Sequence, residues 1–183
     1  MRTTSSREAY RNPWIRVRED VIERDDGSTG LYGVIERPDF GLVVPAERDG
    51  FWLVEQFRYP LGRRCWEFPQ GTWGEGKDGS AEELARAELA EETGLRAAGL
   101  TRLGHLDLAP GLSDQEFDVW LATGLSAGPT AREATEADMR HEFVTERELR
   151  QMIRDGRFTD GPSLAAYSLL LLHRAAGPPQ PPA

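Results

Sequence analysis

The densest chemistry in the sequence is a run of carboxylates. Between Ala81 and Thr93, Glu82, Glu83, Glu88, Glu91 and Glu92 stand against the single Arg86. Ser80 and Glu83 have the capping-box spacing and Thr93-Gly94 supplies a stop, which predicts a helix over about residues 81 to 93. At roughly 100° per residue, Glu88, Glu91 and Glu92 fall on one face of that helix. Glu82 and Glu83 sit in the first turn, where the helix dipole favours acids, and Glu82 has Arg86 at i+4. The other three oppose the helix. Like charges at i,i+3 or i,i+4 cost about 0.2–0.5 kcal/mol per pair, and acids in a last turn cost roughly 0.3–1 kcal/mol each against the dipole. A solvated acidic face is the plain account of a Glu-rich helix. We favour a second account, in which a hard divalent cation converts the repulsion into binding energy. Mg²⁺ prefers oxygen ligands, retained waters and substrate phosphates. Such an ion polarises a phosphoryl oxygen and helps generate hydroxide from water.

Other segments must position this helix. Apolar and polar residues alternate from Trp14 to Arg24 and from Leu31 to Arg37 around Asp25-Asp26-Gly27, the pattern of a hairpin. Phe40 to Pro45 and Phe51 to Val54 form a second hairpin, with the Asp-Gly of Arg48-Asp49-Gly50 expected to supply the positive-φ residue of its turn. Cys65-Trp66-Glu67-Phe68 reads as a short strand ended by Pro69 and Gly71, followed by an irregular loop. Further strands are expected at Leu100 to Leu106, Phe117 to Thr123 and Glu142 to Val144. Thr145 and Glu148 repeat the capping-box spacing before a helix to about Asp155, and Ser163 is expected to open a third. The run Leu164 to Leu172 is apolar on most faces, so it should be covered on two sides. Residues 1–11 read as a flexible N-terminus and residues 176–183 as a Pro-rich disordered tail.

Composition narrows the function. The chain has 183 residues, 22 Lys+Arg and 31 Asp+Glu, a formal charge of -9, which suits one soluble domain and gives no general electrostatic drive toward nucleic acid. No apolar run approaches the ~20 residues of a membrane span and residues 1–10 lack an apolar leader, so a cytoplasmic protein is expected. Cys65 is the single cysteine, and it reads as a small buried apolar residue. His105, His141 and His173 have no ligand spacing.

Glu88-Leu-Ala-Glu-Glu-Thr-Gly-Leu95 resembles the second half of the Nudix box, whose pattern is Gly, five residues, Glu, seven residues, Arg-Glu-apolar-x-Glu-Glu-x-Gly-apolar. The first half departs from it: Ala87 stands where Arg is usual, Gly79 where the earlier Glu is usual, and the loop from Gly71 is about two residues longer. In the family those two side chains brace the loop as an ion pair, and losing both together strands no charge. The resemblance extends over roughly residues 12 to 175 and is strongest to the ADP-ribose pyrophosphatase branch. Glu55-Gln56-Phe57-Arg58-Tyr59, Trp66-Glu67-Phe68-Pro69-Gln70-Gly71, Pro110 after the box, and Glu133-Ala-Thr-Glu136-Ala-Asp138-Met139 carry it.

The resemblance implies an α/β fold, a Nudix α/β/α sandwich with a mixed sheet and an N-terminal antiparallel hairpin region that assists a homodimer. It implies Mg²⁺-dependent, or Mn²⁺-dependent, hydrolysis of a nucleoside diphosphate linked to another group, with ADP-ribose leading. The metal ligands would be Glu88, Glu92 and the Gly71 carbonyl, with Glu91 a third ligand or an orienter. The general base would be Glu136, with Glu133 and Asp138 as runners-up, and a mobile acidic loop is the competing account of that segment. Arg58 is a candidate diphosphate clamp, against an ordinary ion pair with an acid such as Glu55. Glu67, taken to alternate outward, would contact base or ribose, and Pro110 belongs to the substrate-binding set. Two alternatives stay open: a hydrolase of another nucleotide sugar or dinucleotide, and, motivated by Gly79 and Ala87, a binding module that senses a nucleotide without cleaving it.

Overall fold

The computed structural model describes residues 1–74, 76–129 and 138–177. The chain divides into two compact units, residues 1–39 with 106–117 and residues 40–105 with 118–183, where the sequence suggested one domain.

The first unit holds β1 (Arg2–Arg11), β2 (Arg16–Glu23) and β3 (Thr29–Glu36) in an antiparallel sheet. The β2–β3 hairpin is the one expected, with Gly27 at φ 80° in its turn. The expectation of a flexible N-terminus is corrected: residues 2–11 form a ten-residue strand paired along β2. Every β1 residue is exposed, so no period-2 apolar pattern could announce it. The ladder is supplemented by ion pairs such as Arg2–Glu23 and Arg7–Glu19, both 2.9 Å. The turn carrying Pro110 is tied in by the Ser113 hydroxyl, which donates to the Ile35 carbonyl at 2.6 Å, and by the Tyr32 hydroxyl, which donates to the Gly111 carbonyl at 3.2 Å.

The second unit is built on a sheet ordered β10 (Arg140–Thr145), β5 (Gly50–Arg58), β4 (Phe40–Glu47), β9 (Glu116–Ala127), β8 (Leu95–Asp107). The short strands β6 (Arg63–Glu67) and β7 (Gln70–Gly71) pair with β5 and β4. With α1 (Ala81–Thr93), α2 (Glu146–Arg154) and α3 (Gly161–Ala176), the α/β class and the N-terminal antiparallel region are as expected. Both capping boxes form: the Ser80 hydroxyl accepts from the Glu83 N–H and the Thr145 hydroxyl from the Glu148 N–H, each at 3.2 Å. Between α1 and the sheet lie Val43, Ala85, Leu89, Leu95, Trp120 and Ala122. Cys65 is buried, as expected.

Three local expectations are corrected. Gly50 has no positive φ; Arg48 carries it, at 50°. Glycine is required at 50 because a Cβ there would lie 2.1 Å from the Val144 carbonyl oxygen on β10. The cap of α3 is Asp160, whose carboxylate accepts from the Ser163 N–H at 2.9 Å, while the Ser163 hydroxyl accepts from the Phe68 N–H at 2.9 Å. Finally, α3 buries one face through Ala166, Tyr167 and Leu170 and leaves Leu172 67% exposed, so it is not covered on two sides.

The β10 contact yields a stability test. Gly50→Ala should cost about 1–3 kcal/mol in urea unfolding, because carbonyl and strand must give way. Gly33→Ala, where a Cβ meets nothing within 4 Å, should stay within about 0.5 kcal/mol of wild type.

Candidate active site

The register of β4 brings the acidic helix to the β6–β7 segment. Gly41 and Leu42 of β4 pair with Gly71 and Gln70 of β7. A Cβ on the same Gly41 would lie 3.3 Å from Leu84 of α1, so helix and short strand share one point on β4. Leu84, Ala85 and Leu89 give α1 its apolar stripe, and at helical spacing that stripe carries Glu88 and Glu92 inward with it. Glu88 is 7% exposed, Glu92 is 1% exposed, and Glu91 is half-buried. A solvated acidic face is thereby excluded for Glu88 and Glu92.

Both buried carboxylates meet β7. A Cβ on Gly71 would stand 2.5 Å from Glu88 Oε2, so glycine is what leaves room for that carboxylate. The Gln70 backbone N–H donates to Glu92 Oε2 at 3.2 Å. Gly71, Glu88 and Glu92, expected from the sequence to act together, are brought together.

These residues fit a hard divalent cation. Their donors are carboxylate and carbonyl oxygens, and Gly71 leaves space against Glu88 that any larger residue would fill. Among the described residues no three Asp, Glu, His or Cys side chains form a ready-made cage, so water or phosphate oxygens would have to complete the shell.

Beside them lies a third buried carboxylate. Glu67 is fully buried and shares the inner face of β6 with Cys65. This corrects the expectation that Glu67 alternates outward, since an apolar strand does not say which of its faces is covered. Arg58 Nε donates to Glu67 Oε1 at 3.0 Å and a guanidinium Nη pairs with Oε2. The Gln70 side-chain amide donates to Glu67 Oε2 at 2.8 Å and to Asp160 Oδ2 at 3.1 Å. Burial pushes the Glu67 carboxyl above the usual carboxylate range; Arg58 pulls against that, and nearby Asp160 adds to it. Burial also works against the Arg58 cation, but Glu67, Asp160 and Glu92 together raise it above the ordinary arginine value. The Arg58 side chain as a whole remains 39% exposed.

The alternative partner for Arg58, Glu55, binds Arg64 instead at 2.8 Å, and Arg64 also reaches Asp138 at 2.6 Å. Asp138, one runner-up for the base, is therefore engaged in an ion pair. Glu136 and Glu133 lie outside the described residues. Pro110 lies in the first unit, exposed in the turn that follows β8. At Gly79 a Cβ would meet the Trp73 ring at 2.8 Å and Glu83 Oε2 at 3.1 Å. The indole and the capping box thus crowd position 79, where the family pattern has Glu.

Sequence reasoning missed Gln70 and Asp160. Asp160 carried a usable signal, a helix-capping residue three positions before Ser163. Gln70 carried none, because its role depends on pairing with β4.

The pairing of Arg58 with Glu67 predicts a pH-dependent defect. In Arg58→Met the lone carboxyl would titrate higher still in the fold than in the unfolded chain, so stability is retained below the unfolded value and lost as pH rises through the folded one. The deficit against wild type should be small near pH 4.5 and grow toward pH 8, to about 3 kcal/mol by chemical denaturation. A pH-independent deficit would contradict the pairing.

Comparisons with known proteins bear on the family and the fold. A family model described as "NUDIX domain" matches residues 36–167, and one described as "Nucleoside diphosphate sugar hydrolase N-terminal domain" matches residues 1–35. The chain is 31% identical over 173 residues to the ADP-ribose pyrophosphatase of Mycobacterium tuberculosis, covering 93% of this chain and 82% of that protein. It is 27% identical over 180 residues to the methanol dehydrogenase activator of Bacillus methanolicus, covering 95% and 94%. A solved structure described as an ADP compounds hydrolase has the same fold, with a TM-score of 0.84, 20% identity, and 96% and 95% coverage.

Proposed function

Since the chain belongs to the Nudix family, we propose that it is a metal-dependent hydrolase of nucleoside diphosphates linked to a second group, with ADP-ribose the leading substrate and AMP and a sugar phosphate the products. The observation that carries this reading is the pair of buried glutamates at the sheet, Glu88 against Gly71 and Glu92 on the Gln70 backbone N–H.

In this reading Glu88, Glu92 and the Gly71 carbonyl hold Mg²⁺, or Mn²⁺, and Glu91 orients them or adds a ligand. The ion supplies charge neutralisation at the diphosphate and a lowered pKa for an attacking water. Arg58 offers its exposed edge to the diphosphate oxygens, while Glu67, buried behind it, acts as a positioning residue that fixes the guanidinium. This replaces a direct contact of Glu67 with base or ribose. Glu136 takes the proton from the attacking water, Pro110 belongs to the substrate-binding set, and the active species is a homodimer. The ADP-ribose pyrophosphatase relative and the match to the nucleoside diphosphate sugar hydrolase N-terminal domain support this substrate class.

A second reading rests on Gly79 and Ala87, which remove the family's loop brace: a Nudix-fold module that binds the nucleotide without cleaving it. Turnover separates the two. Product release should be followed from ADP-ribose, other ADP- and UDP-sugars, dinucleotides and nucleoside triphosphates, with Mg²⁺, Mn²⁺ or chelator. The hydrolase reading expects metal-dependent AMP from ADP-ribose. Ligand-induced thermal stabilisation with no product over hours would favour the binding module.

Mutation tests the assignments. Glu92→Gln should abolish metal-dependent turnover while leaving the melting temperature unchanged or slightly raised, since it removes last-turn repulsion. Glu136→Gln should lower the rate with little loss of ligand binding. Undiminished activity in either variant would remove that residue from its role.

A further inference from the structure

The Glu92 carboxylate is held in part by a backbone N–H, and that N–H belongs to Gln70, whose side chain is tied down independently. The Gln70 amide donates to Asp160 Oδ2 at 3.1 Å and to Glu67 Oε2 at 2.8 Å, while its own backbone N–H donates to Glu92 Oε2 at 3.2 Å. The same Asp160 oxygen accepts from the Ser163 N–H at 2.9 Å, the N-terminal cap of α3, and the Ser163 hydroxyl accepts from the Phe68 N–H at 2.9 Å. The two ends of Phe68-Pro69-Gln70 are therefore fastened to the first turn of α3, although some ninety residues of chain separate them.

From this convergence we infer that Asp160 and Gln70 form a clamp by which the N-terminus of α3 sets the position of Glu92 and, through Glu67, of Arg58. Both are positioning residues. The inference deepens the proposed metal-dependent reading but also stands on bonds that need no metal. The geometry explains why an amide side chain serves at 70. A neutral –NH₂ carries two donors, one for each of two carboxylates, and a carboxylate there would add a further like charge. It also explains why an acid serves at 160: one oxygen caps a helix and receives the amide at once. The clamp also places a negative charge where, with Glu67 and Glu92, it favours the Arg58 cation.

The test uses the full chain and two readouts. The first, in metal-free protein, is hydrogen exchange of the residue-70 backbone amide, compared in wild type, Gln70→Met, Asp160→Ala and Asp160→Asn. Met keeps the length and the backbone N–H but donates nothing, and Asn retains both the cap and an acceptor. Exchange should accelerate by roughly tenfold or more in Gln70→Met and Asp160→Ala, with core amides unchanged, and Asp160→Asn should return near wild type. The second readout is Mn²⁺ affinity from the loss of the free-ion electron paramagnetic resonance signal. It should weaken about tenfold in the same two variants, and no further in the double variant, because one clamp is lost either way. Wild-type exchange rates in Gln70→Met and Asp160→Ala would overturn the clamp. Accelerated exchange with unaltered Mn²⁺ affinity would overturn its positioning of Glu92. If wild type itself takes up no Mn²⁺ while the exchange pattern holds, the clamp is upheld and the metal-dependent reading of the site fails.

Discussion

An ionised carboxylate is expensive to remove from water, and among the described residues one unit of this protein buries three carboxyl groups, Glu67, Glu88 and Glu92, among the same few elements. Much of the local architecture answers that cost. Arg58 pairs with Glu67 and adds its field at Glu92. Backbone and amide donors from Gln70 supply hydrogen bonds to two of the three. Gly71 gives the third room by having no side chain. Helix α1 tolerates acids at its C-terminal end because its other end is secured by a capping box and its apolar stripe is buried against the sheet. Charges held this way are poor contributors to stability and good instruments for binding a cation or phosphate.

Strand β4 is the element through which these demands are reconciled. Its middle residues, Leu42, Val43 and Val44, are fully buried, and its N-terminal end carries both the Leu84 contact to α1 and the pairing to β7. The acidic face of α1 and the Gln70-Gly71 peptide are thus fixed to one rigid support. A site assembled from loops alone would have to order them at the moment of binding.

The parts legible in the sequence were those with local causes. Helix α1 emerged with both ends as expected because Ser80, Glu83 and Gly94 announce its limits within a few residues. The hairpin about Gly27 was readable for the same reason. What escaped was set by long-range pairing. Alternation placed Cys65 and Glu67 on one face of β6, but which face would be covered depends on the strands and helix that meet it. Glu67 therefore read as outward when it is fully buried. Gly50 looked like a turn glycine, yet it is demanded by a carbonyl on a strand some ninety residues later. Gln70 looked like filler between Pro69 and Gly71, and only the register with β4 gives its three hydrogen bonds meaning.

Strand β1 carries a consequence of a different kind. All ten of its residues are exposed and it lies at the margin of a three-stranded sheet, so its attachment rests on backbone bonds and on ion pairs in water. Strand margins are templates for the addition of foreign chains, and the usual deterrent is a fringe of charge. Arg2, Arg7, Glu8 and Arg11 provide that fringe here. Because exposed charges lose their reach as ionic strength rises, the same salt that loosens β1 from β2 also lowers the barrier to a stranger pairing in its place. The colloidal behaviour of the protein is thereby written into a segment that takes no part in its core.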